Sequence, residues 1–303
     1  MERSFYAKFI KPFISLKTRE TMLKLAYSYY ISYRSAGSFK EYVKGKLIYI
    51  FQYFLPNTEK YNLYAFMGKY GFCHFPYPFT LQYRPEDVVV YFDEDWLLPY
   101  VLHQKKKLYY PIEDITNYEI QIAYNNLNME QDPASPHRYI NDIEGLSGKI
   151  LLDIGAAEGI FALDVIEYVK KAYLFECEEK WIKPLEATFS PWKDKVFIFK
   201  KKVTGNNMEN EISLNYFLSD KNDLNNIFIK MDIEGGEQTV LNASLDVLKK
   251  RDDVELAVCT YHLSNDKEQI ERLLTSLDYF CSYTDGFFYI NKEFRKAILR
   301  AHK

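Results

Sequence analysis

The stretch that most constrains the fold is Leu151–Gly159, which reads LLDIGAAEG. Apolar residues surround Asp153 and the apolar run ends at Gly155, which predicts a strand buried on both faces followed by a tight turn. An apolar helical pattern continues through Ile160, Phe161, Leu163 and Val165. A strand, a turn and a helix in this order open a βαβ unit, and such units build parallel sheets.

The turn between this strand and this helix can hold a ligand, because its residues are small: Gly155, Ala156, Ala157 and Gly159. A ligand there would also lie near the positive N-terminus of the helix. Glu176 follows 21 positions after Gly155 and ends a second apolar run, where an acid can bind two ribose hydroxyls. Together these features predict a site for an adenine nucleoside.

The turn differs from the G-x-G-x-x-G fingerprint of dinucleotide sites, since it reads G-A-A-E-G. Glu158 would place a carboxylate beside a pyrophosphate, which disfavours NAD and a dehydrogenase activity. S-adenosylmethionine has a ribose, an ammonium and a sulfonium but no phosphate, and its positive end tolerates Asp153 and Glu158. We therefore predict S-adenosylmethionine as the cofactor. In the alternative interpretation, Asp153 only holds the turn and Glu158 only complements the helix dipole.

From Lys149 onward, strands alternate with helices, which predicts a Rossmann-like α/β domain with a mostly parallel, seven-stranded sheet and helices on both faces. Strands are predicted at 149–154, 172–177, 195–200, 226–232 and 254–260, with a terminal antiparallel pair at 279–284 and 286–291. Helices are predicted at 159–170, 179–189, 236–250 and 265–277, the last with Asn265 and Glu268 as a capping box.

Three regions are predicted along the chain: a helical, basic, aromatic-rich region at 1–80, a β-hairpin and lid region at 81–140, and the cofactor-binding domain at 141–303. In the middle region we predict strands at Val88–Phe92 and Pro99–Pro111 and a helix at Asp114–Leu127. The segment Glu130–Ile140, which reads EQDPASPHRYI, immediately precedes the first strand of the nucleoside-binding unit. We predict that this lid segment folds over the bound ligand.

The N-terminal region is strongly basic. Residues 1–50 hold ten Lys and Arg and three Asp and Glu, a balance of +7 in a chain whose net charge is −3. This predicts peripheral contact of residues 1–56 with an anionic membrane or a polyanionic acceptor; the alternative is a solvated helical face. The longest uncharged runs are too short to span a bilayer, and lysines interrupt any signal-peptide core. We expect a cytoplasmic protein, peripheral at the inner membrane face, with no nucleic-acid partner.

The four cysteines are expected to be free. Cys73, Cys177, Cys259 and Cys281 lie far apart, without a C-x-x-C pair. Cys177 and Cys259 fall in predicted strands, so we predict that both are buried thiols.

A second group of charged residues lies in the run Ile227–Leu241, which reads IFIKMDIEGGEQTVL. Lys230, Asp232 and Glu234 occupy alternate positions, so they share one face near the carboxyl end of a predicted strand. Ligands of α/β sheets bind at that end, and Glu237 falls in the first turn of the next helix. The alternative is a purely structural Lys–Asp–Glu network.

The next predicted strand carries Tyr261 and His262 to the same end of the sheet. With the usual strand order, the strands that end at Asp153, Asp232 and His262 are neighbours. His262 could then be the general base for an acceptor hydroxyl, or could bind a divalent metal together with Asp232 and Glu234 or Glu237. His137 in the lid segment is a second candidate base. Either histidine could instead be a hydrogen-bonded structural residue.

The order of these motifs resembles the FkbM family of S-adenosylmethionine-dependent methyltransferases. LLDIGAAEG resembles the family's D-x-G-A-x-x-G turn, LFECEE its acid after strand two, FIKMDIEGGEQTVL its K-x-D-x-E-G-x-E element, and AVCTYHLSND its Y-H after strand five. The resemblance covers about residues 130–291. Cys177 stands where the family often has a proline, which makes Glu178 an alternative to Glu176 as the ribose ligand; the strand register favours Glu176.

The resemblance implies O-methyl transfer to a hydroxyl of a sugar, a glycan or a secondary metabolite. The predicted cofactor-binding residues are Asp153, Gly155, Ala156, Glu158, Gly159 and Glu176. The predicted catalytic residues, facing the acceptor, are Asp232, Glu234, His262 and His137. A rival function of another class is a non-catalytic Rossmann-like scaffold, tethered to a membrane or to a glycan-assembly partner by the basic N-terminal region.

Overall fold

The computed structural model describes Ser15 and residues 38–113, 115–219 and 224–303. The helices predicted within residues 1–37 lie outside this part of the chain. Helix α1 spans Phe39–Phe51 and helix α2 spans Glu59–Tyr70. Each begins after a hydroxyl residue, Ser38 or Thr58, whose side chain accepts a hydrogen bond from a first-turn amide. Within the described ranges, no helix has the length and apolar character needed to cross a bilayer.

A small antiparallel sheet and a helix follow. The strands are β1 Tyr91–Asp93, β2 Leu98–His103 and β3 Lys106–Tyr109, and the helix is α3 Asn117–Gln131. The strand predicted at Pro99–Pro111 is thus a hairpin, because Gln104 and Lys105 form a turn with φ of 49° and 70°. Helix α3 starts after Thr116, which forms a capping box with Glu119. The helix predicted at Asp114–Leu127 is therefore confirmed with later boundaries.

The centre of the protein is a seven-stranded sheet. Its strands are β4 Ile150–Ile154, β5 Lys171–Phe175, β6 Val196–Phe199, β9 Ile227–Met231, β10 Val254–Cys259, β11 Phe280–Tyr283 and β14 Ile298–His302. Two smaller pairs accompany it, β7 Lys202–Thr204 with β8 Glu211–Ser213 and β12 Phe288–Ile290 with β13 Glu293–Arg295. The helices are α4 Ile160–Val165, α5 Glu179–Phe189, α6 Leu214–Ser219, α7 Glu237–Ala243, α8 Leu245–Lys250 and α9 Asp266–Thr275.

The strand order of the large sheet is β11-β14-β10-β9-β4-β5-β6. All neighbouring strands from β10 to β6 are parallel, whereas β14 runs antiparallel to both β10 and β11. This is the Rossmann-like architecture of class I methyltransferases, as predicted. The predicted neighbours β4, β9 and β10 lie side by side, so their carboxyl ends meet.

Each face of the sheet buries its own apolar core. Leu151, Phe161 and Phe228 belong to one core cluster, and this cluster also includes Ile120 and Tyr139 from before the sheet. The other face packs α7, α8 and α9 through residues such as Ile229 and Leu274. The members of this cluster that precede the sheet therefore hold the lid segment against it.

The predicted terminal strand pair is wrong. The first member exists as β11, but its antiparallel partner is β14, at the end of the chain. The second predicted member, at 286–291, contains β12, which pairs with β13. Strand β14 inserts between β10 and β11 because two of its alternate residues, Leu299 and Ala301, complete the core of one sheet face.

Three further predictions need correction. Asn265 precedes α9, but its side chain makes no capping bond and accepts a hydrogen bond from Gln238 instead. The helix predicted at 236–250 is two helices separated at Ser244. Cys177 is exposed because β5 ends two residues earlier, while Cys259 is buried as predicted and all four thiols are free.

Candidate functional site

The nucleoside turn, residues 155–159, has a backbone that only glycine fits at two positions. Gly155 has a φ of 78°, and a Cβ there would collide with the carbonyl oxygen of Asp232. Gly159 has a φ of 77°, and a Cβ there would lie 2.8 Å from atoms of both Leu185 and Phe189. Both conformations lie in the left-handed region that side chains disfavour. The two glycines therefore let β4, the end of β9 and α5 approach the turn closely.

Glu176 lies directly after β5 and faces this turn. One carboxylate oxygen accepts a hydrogen bond from the amide of Ala157 at 2.9 Å, and the other accepts one from the amide of Glu178 at 2.7 Å. The side chain is fixed in place and the residue is 7% exposed. The alternative ribose ligand, Glu178, has a 58% exposed side chain that pairs with Lys180. The geometry thus agrees with the strand register in favouring Glu176 over Glu178 as the predicted ribose ligand. A carboxylate that is already held in place can still accept further hydrogen bonds from a diol.

Asp153 is fully buried at the end of β4 and pairs with Lys230 of β9. The ammonium of Lys230 lies 2.9 Å from Asp153 Oδ1 and donates a hydrogen bond to the carbonyl of Gly155 at 2.5 Å. Burial raises the pKa of Asp153, while the charge of Lys230 opposes that rise. The pair therefore fixes the start of the nucleoside turn, which is the structural role considered above. Direct contact of Asp153 with a cofactor stays a prediction.

His262 lies between three carboxylates. Its Nδ1 is 2.9 Å from Oε1 of Glu237, a buried carboxylate that also accepts a hydrogen bond from the amide of Ile233. Its Nε2 is 3.4 Å from Asp232 Oδ1 and 3.9 Å from Oε2 of Glu234, which is exposed. Because a carboxylate accepts hydrogen bonds, Glu237 keeps a hydrogen on Nδ1 and leaves Nε2 as the basic nitrogen.

The charges around His262 govern its protonation. Burial lowers the pKa of His262, but the hydrogen bond to Glu237 and the charge of Asp232 outweigh burial and leave the pKa raised. For Asp232, burial raises the pKa, but the charge of Lys230 and a hydrogen bond donated by Tyr139 oppose that rise and leave the pKa lowered. The hydroxyl of Tyr139 lies 3.0 Å from Asp232 Oδ2. Asp232 is thus an ionised carboxylate beside an imidazole whose pKa is raised.

His137 is brought to the same end of the sheet but is enclosed. Its Nε2 lies 3.0 Å from the hydroxyl of Tyr261 and 4.0 Å from Cys259 Sγ, and its ring packs on Phe75, Tyr139 and Phe288. The residue is 1% exposed, and burial lowers its pKa to about 4. A neutral, enclosed imidazole supports the structural alternative for His137, and its role as a base stays a prediction.

The predicted metal ligands also lie together. Ligand atoms of Asp232, Glu237 and His262 lie within 4.8 Å of one another, and so do those of His137, Asp232 and Cys259. Oε1 of Glu237 already accepts hydrogen bonds from His262 and the amide of Ile233, which leaves Nε2 of His262 and the carboxylate of Asp232 as the more open donors. These are imidazole and carboxylate donors of the kind that bind divalent cations. Metal binding stays a prediction.

Glu130, at the end of α3, was not assigned a role from the sequence. It lies within electrostatic range of Asp232, Glu158 and Glu234, and burial followed by repulsion from Asp232 and Glu158 raises its pKa to about 8. Burial likewise raises the pKa of Glu158 to about 7. The sequence signal for Glu130 is its place at the start of the lid segment, three residues after the end of the predicted helix. This acid cluster of Glu130, Glu158, Asp232 and Glu234 makes the space beside the nucleoside turn favourable for a cation.

The fold and the site define a class: a Rossmann-like chain with a nucleoside turn and a histidine–carboxylate group at neighbouring strand ends. No protein-family model and no curated protein matches the chain. Among solved structures, methyltransferase FkbM from Methylobacillus flagellatus is similar, with 17% identity and a TM-score of 0.42 over 61% of this chain and 54% of that chain. The chain thus spans about half the length of that methyltransferase.

Two further methyltransferases are similar in structure. Magnesium protoporphyrin IX methyltransferase from Synechocystis, solved with bound SAM, is 9% identical, with a TM-score of 0.41 over 61% of this chain and 84% of that chain. An rRNA methylase from Streptococcus thermophilus is 15% identical, with a TM-score of 0.39 over 53% of this chain and 91% of that chain. Because these similarities are remote, function has to be inferred from the side chains of the site.

Proposed function

We propose that the protein is an S-adenosylmethionine-dependent methyltransferase that methylates a hydroxyl oxygen. The observation that carries the proposal is the convergence of three neighbouring strand ends. Strand β4 supplies the nucleoside turn, β9 leads into Asp232, and β10 leads into His262. The proposed nucleoside site thereby lies at the same end of the sheet as a basic nitrogen that Glu237 holds in one tautomer.

The residues present fit S-adenosylmethionine. Glu176 is held at the position where an acid binds ribose, and the acid cluster suits a ligand whose methionine end carries positive charge. When bound, S-adenosylmethionine supplies an electrophilic methyl carbon on its sulfonium. A pyrophosphate would be repelled by the ionised Asp232 and would raise the pKa values of Glu130 and Glu158 further, which supports this cofactor over NAD.

His262 is the proposed general base. With Nδ1 hydrogen-bonded to Glu237, the lone pair of Nε2 would take the proton of the acceptor hydroxyl and leave its oxygen as the nucleophile. The imidazolium would be stabilised by Asp232 and Glu237 and would then release the proton to solvent. S-adenosylmethionine, when bound, would supply the methyl group and keep the electron pair of its carbon–sulfur bond.

The acceptor is proposed to be a hydroxyl of a sugar, a glycan or a secondary metabolite, which the resemblance to the FkbM family supports. An oxygen acceptor is consistent with the site, because a hydroxyl is a poor nucleophile at neutral pH and needs the base that His262 provides.

Calorimetry of the full chain with S-adenosylmethionine tests the cofactor. Binding is expected to weaken about tenfold or more in Glu176→Ala, because a carboxylate that bonds the ribose diol is lost. Glu178→Ala is the matched control and is expected to bind as the unchanged chain does. Absence of binding to the unchanged chain would contradict the proposal, and an effect confined to Glu178→Ala would move the ribose site to that residue.

The non-catalytic scaffold remains the rival function, and separate replacements of Asp232, Glu234 and His262 distinguish the two. Lysate of the native host is incubated with labelled S-adenosylmethionine and each purified variant. An enzyme loses methyl incorporation with His262→Ala and Asp232→Asn. Incorporation that is equal in all variants would support the scaffold.

We also propose that the N-terminal region contacts an anionic membrane surface. The end of α1 and the turn after it expose apolar and aromatic side chains, with Tyr53 90% and Phe54 86% exposed and Ile50 and Phe51 more than half exposed. Aromatic side chains of this kind insert at the level of lipid headgroups. The full chain should sediment with vesicles that contain phosphatidylserine. The double variant Tyr53→Ser/Phe54→Ser should remain in the supernatant. Equal sedimentation of both would contradict the contact.

A further inference from the structure

A cavity separate from the nucleoside turn lies at the same end of the sheet. Its volume is about 290 Å³, and it lies between the lid segment, which contributes Ser135 and Arg138, and the sheet, which contributes Thr284, Asp285 and Arg300. Strand β11 runs in the same direction as β10, since both are antiparallel to β14. Thr284 and Asp285, which follow β11, therefore lie at the end of the sheet where His262 follows β10.

Two guanidinium groups dominate this arginine cavity. Arg300 donates from Nη1 to Asn141 and from Nη2 to the carbonyl of Arg138, both at 2.5 Å, but its buried Nε has no partner. No hydrogen bond or ion pair joins the guanidinium of Arg138 to any of the residues that the structure describes. Asp285, which is exposed, is the single acid among the residues that line the cavity.

The positive charge in the cavity is not balanced. Burial lowers the pKa of Arg300, the charge of Arg138 lowers it further, and the charge of Asp285 opposes both. Two arginines against one aspartate leave a net charge of +1 on the lining. An anion in the cavity would relieve the repulsion between the two guanidinium groups. Arginine forms its strongest hydrogen bonds with phosphate and carboxylate groups.

We propose that the arginine cavity binds a phosphate or carboxylate group of the methyl acceptor. The proposal rests on the methyltransferase function and narrows its substrate class to anionic hydroxyl compounds. The acceptor's anionic group would then lie beside Arg138 and Arg300, away from the acid cluster that is proposed to face the cofactor.

The lid segment links the cavity to the reaction site. Tyr139, next to Arg138 in the chain, donates a hydrogen bond to Asp232, and the carbonyl of Pro136 accepts one from Thr284. The Arg138–Tyr139 pair therefore joins the lining of the cavity to a residue that contacts Asp232. In the proposed complex, the anionic end of the acceptor would bind in the cavity while a hydroxyl at its other end approaches His262.

Titration of the full chain with inorganic phosphate, in a background of constant ionic strength, tests the cavity. Phosphate is expected to bind. Arg138→Gln is expected to raise the dissociation constant for phosphate about tenfold, because one charge-assisted contact is lost. Arg272→Gln, an exposed arginine on α9 that does not line the cavity, is the matched control and should bind phosphate as the unchanged chain does. Acetate, titrated in the same way, tests the carboxylate alternative.

Two more arms identify the source of the anion and separate the two proposals. Competition by glucose 1-phosphate supports a soluble phosphate ester, whereas retention only on vesicles with phosphatidic acid supports a lipid-borne phosphate. S-adenosylmethionine binding is measured on the same samples. If that ligand binds but neither phosphate nor acetate binding depends on Arg138, the arginine cavity is not an anion site. If the anions bind in an Arg138-dependent manner but S-adenosylmethionine does not, the methyltransferase function fails and the cavity remains an anion site of another activity.

Discussion

Glu237 is expected to control the protonation of His262, and Glu237→Gln isolates this effect. The glutamine oxygen can still accept the hydrogen bonds of His262 Nδ1 and the amide of Ile233, so the ring keeps its position. What disappears is the negative charge beside the imidazole. Oε2 of Glu237 has no partner within the described chain, so the new amide group would leave a buried donor unpaired, at a cost of about 1–3 kcal/mol.

The size of the change follows from the contact at 2.9 Å. Hydrogen bonds to charged groups contribute about 1.5–3 kcal/mol, and one pKa unit corresponds to about 1.4 kcal/mol. The variant is therefore expected to lower the pKa of His262, because the part of this contribution that depends on the charge of Glu237 is lost. Since the pKa of His262 is raised in the folded chain, its contribution to stability is complete below the unfolded-state pKa of about 6.5 and is lost as pH rises through the folded value. Glu237→Gln should flatten that pH dependence.

The assay is an NMR titration of the histidine ring protons, which needs no acceptor. The chain has five histidines, and His262→Gln assigns the resonance. Glu234→Gln is the control, because its exposed carboxylate lies 3.9 Å from Nε2 and should change the midpoint less. An unchanged His262 midpoint in Glu237→Gln would refute the proposed control by Glu237.

Three further outcomes are expected. Gly155→Ala should lower the melting temperature sharply, because the left-handed backbone alone costs about 1–2 kcal/mol and the new Cβ would strike the Asp232 carbonyl; Gly145→Ala, where a Cβ meets nothing within 4 Å, should not. Lys230→Met should lower the free energy of unfolding in urea by about 3–5 kcal/mol, because it leaves the buried carboxylate of Asp153 unpaired. The double variant Lys230→Met/Asp153→Leu should recover most of this loss. No recovery would mean that the two residues do not act as a pair. S-adenosylmethionine should bind more tightly as pH rises through the pKa of Glu130, about 8, because the ionised acid attracts the cation, and equal pH dependence in Glu130→Gln would contradict this.

Much of the fold could be predicted because it depends on local patterns. The strand ending in Asp153, the turn at Gly155 and the amphipathic α9 are continuous in the chain, so apolar period and glycine placement define them. The prediction failed where pairing is non-local. Residues 286–291 are apolar enough for a strand, but only the packing of the last five strand residues, Ile298–His302, decides which segment completes the sheet.

The candidate site divides in the same way. The chemistry of Asp232, Glu237 and His262 was visible from residue type and strand position. Their partners were not, because side-chain distances depend on how distant segments pack. Glu130 enters the site only because α3 packs onto the sheet, and Arg138 meets Arg300 across 162 positions of the chain.

The sequence by itself determined the βαβ unit and its nucleoside turn, since those residues are contiguous and their order allows few alternatives. Only the tertiary structure decided that Glu237 holds the tautomer of His262, that Lys230 joins Asp153 to the turn, and that His137 is enclosed. The physical reason is that pKa values and hydrogen-bond partners depend on burial and on charges a few ångströms away, and residues far apart in the chain supply both.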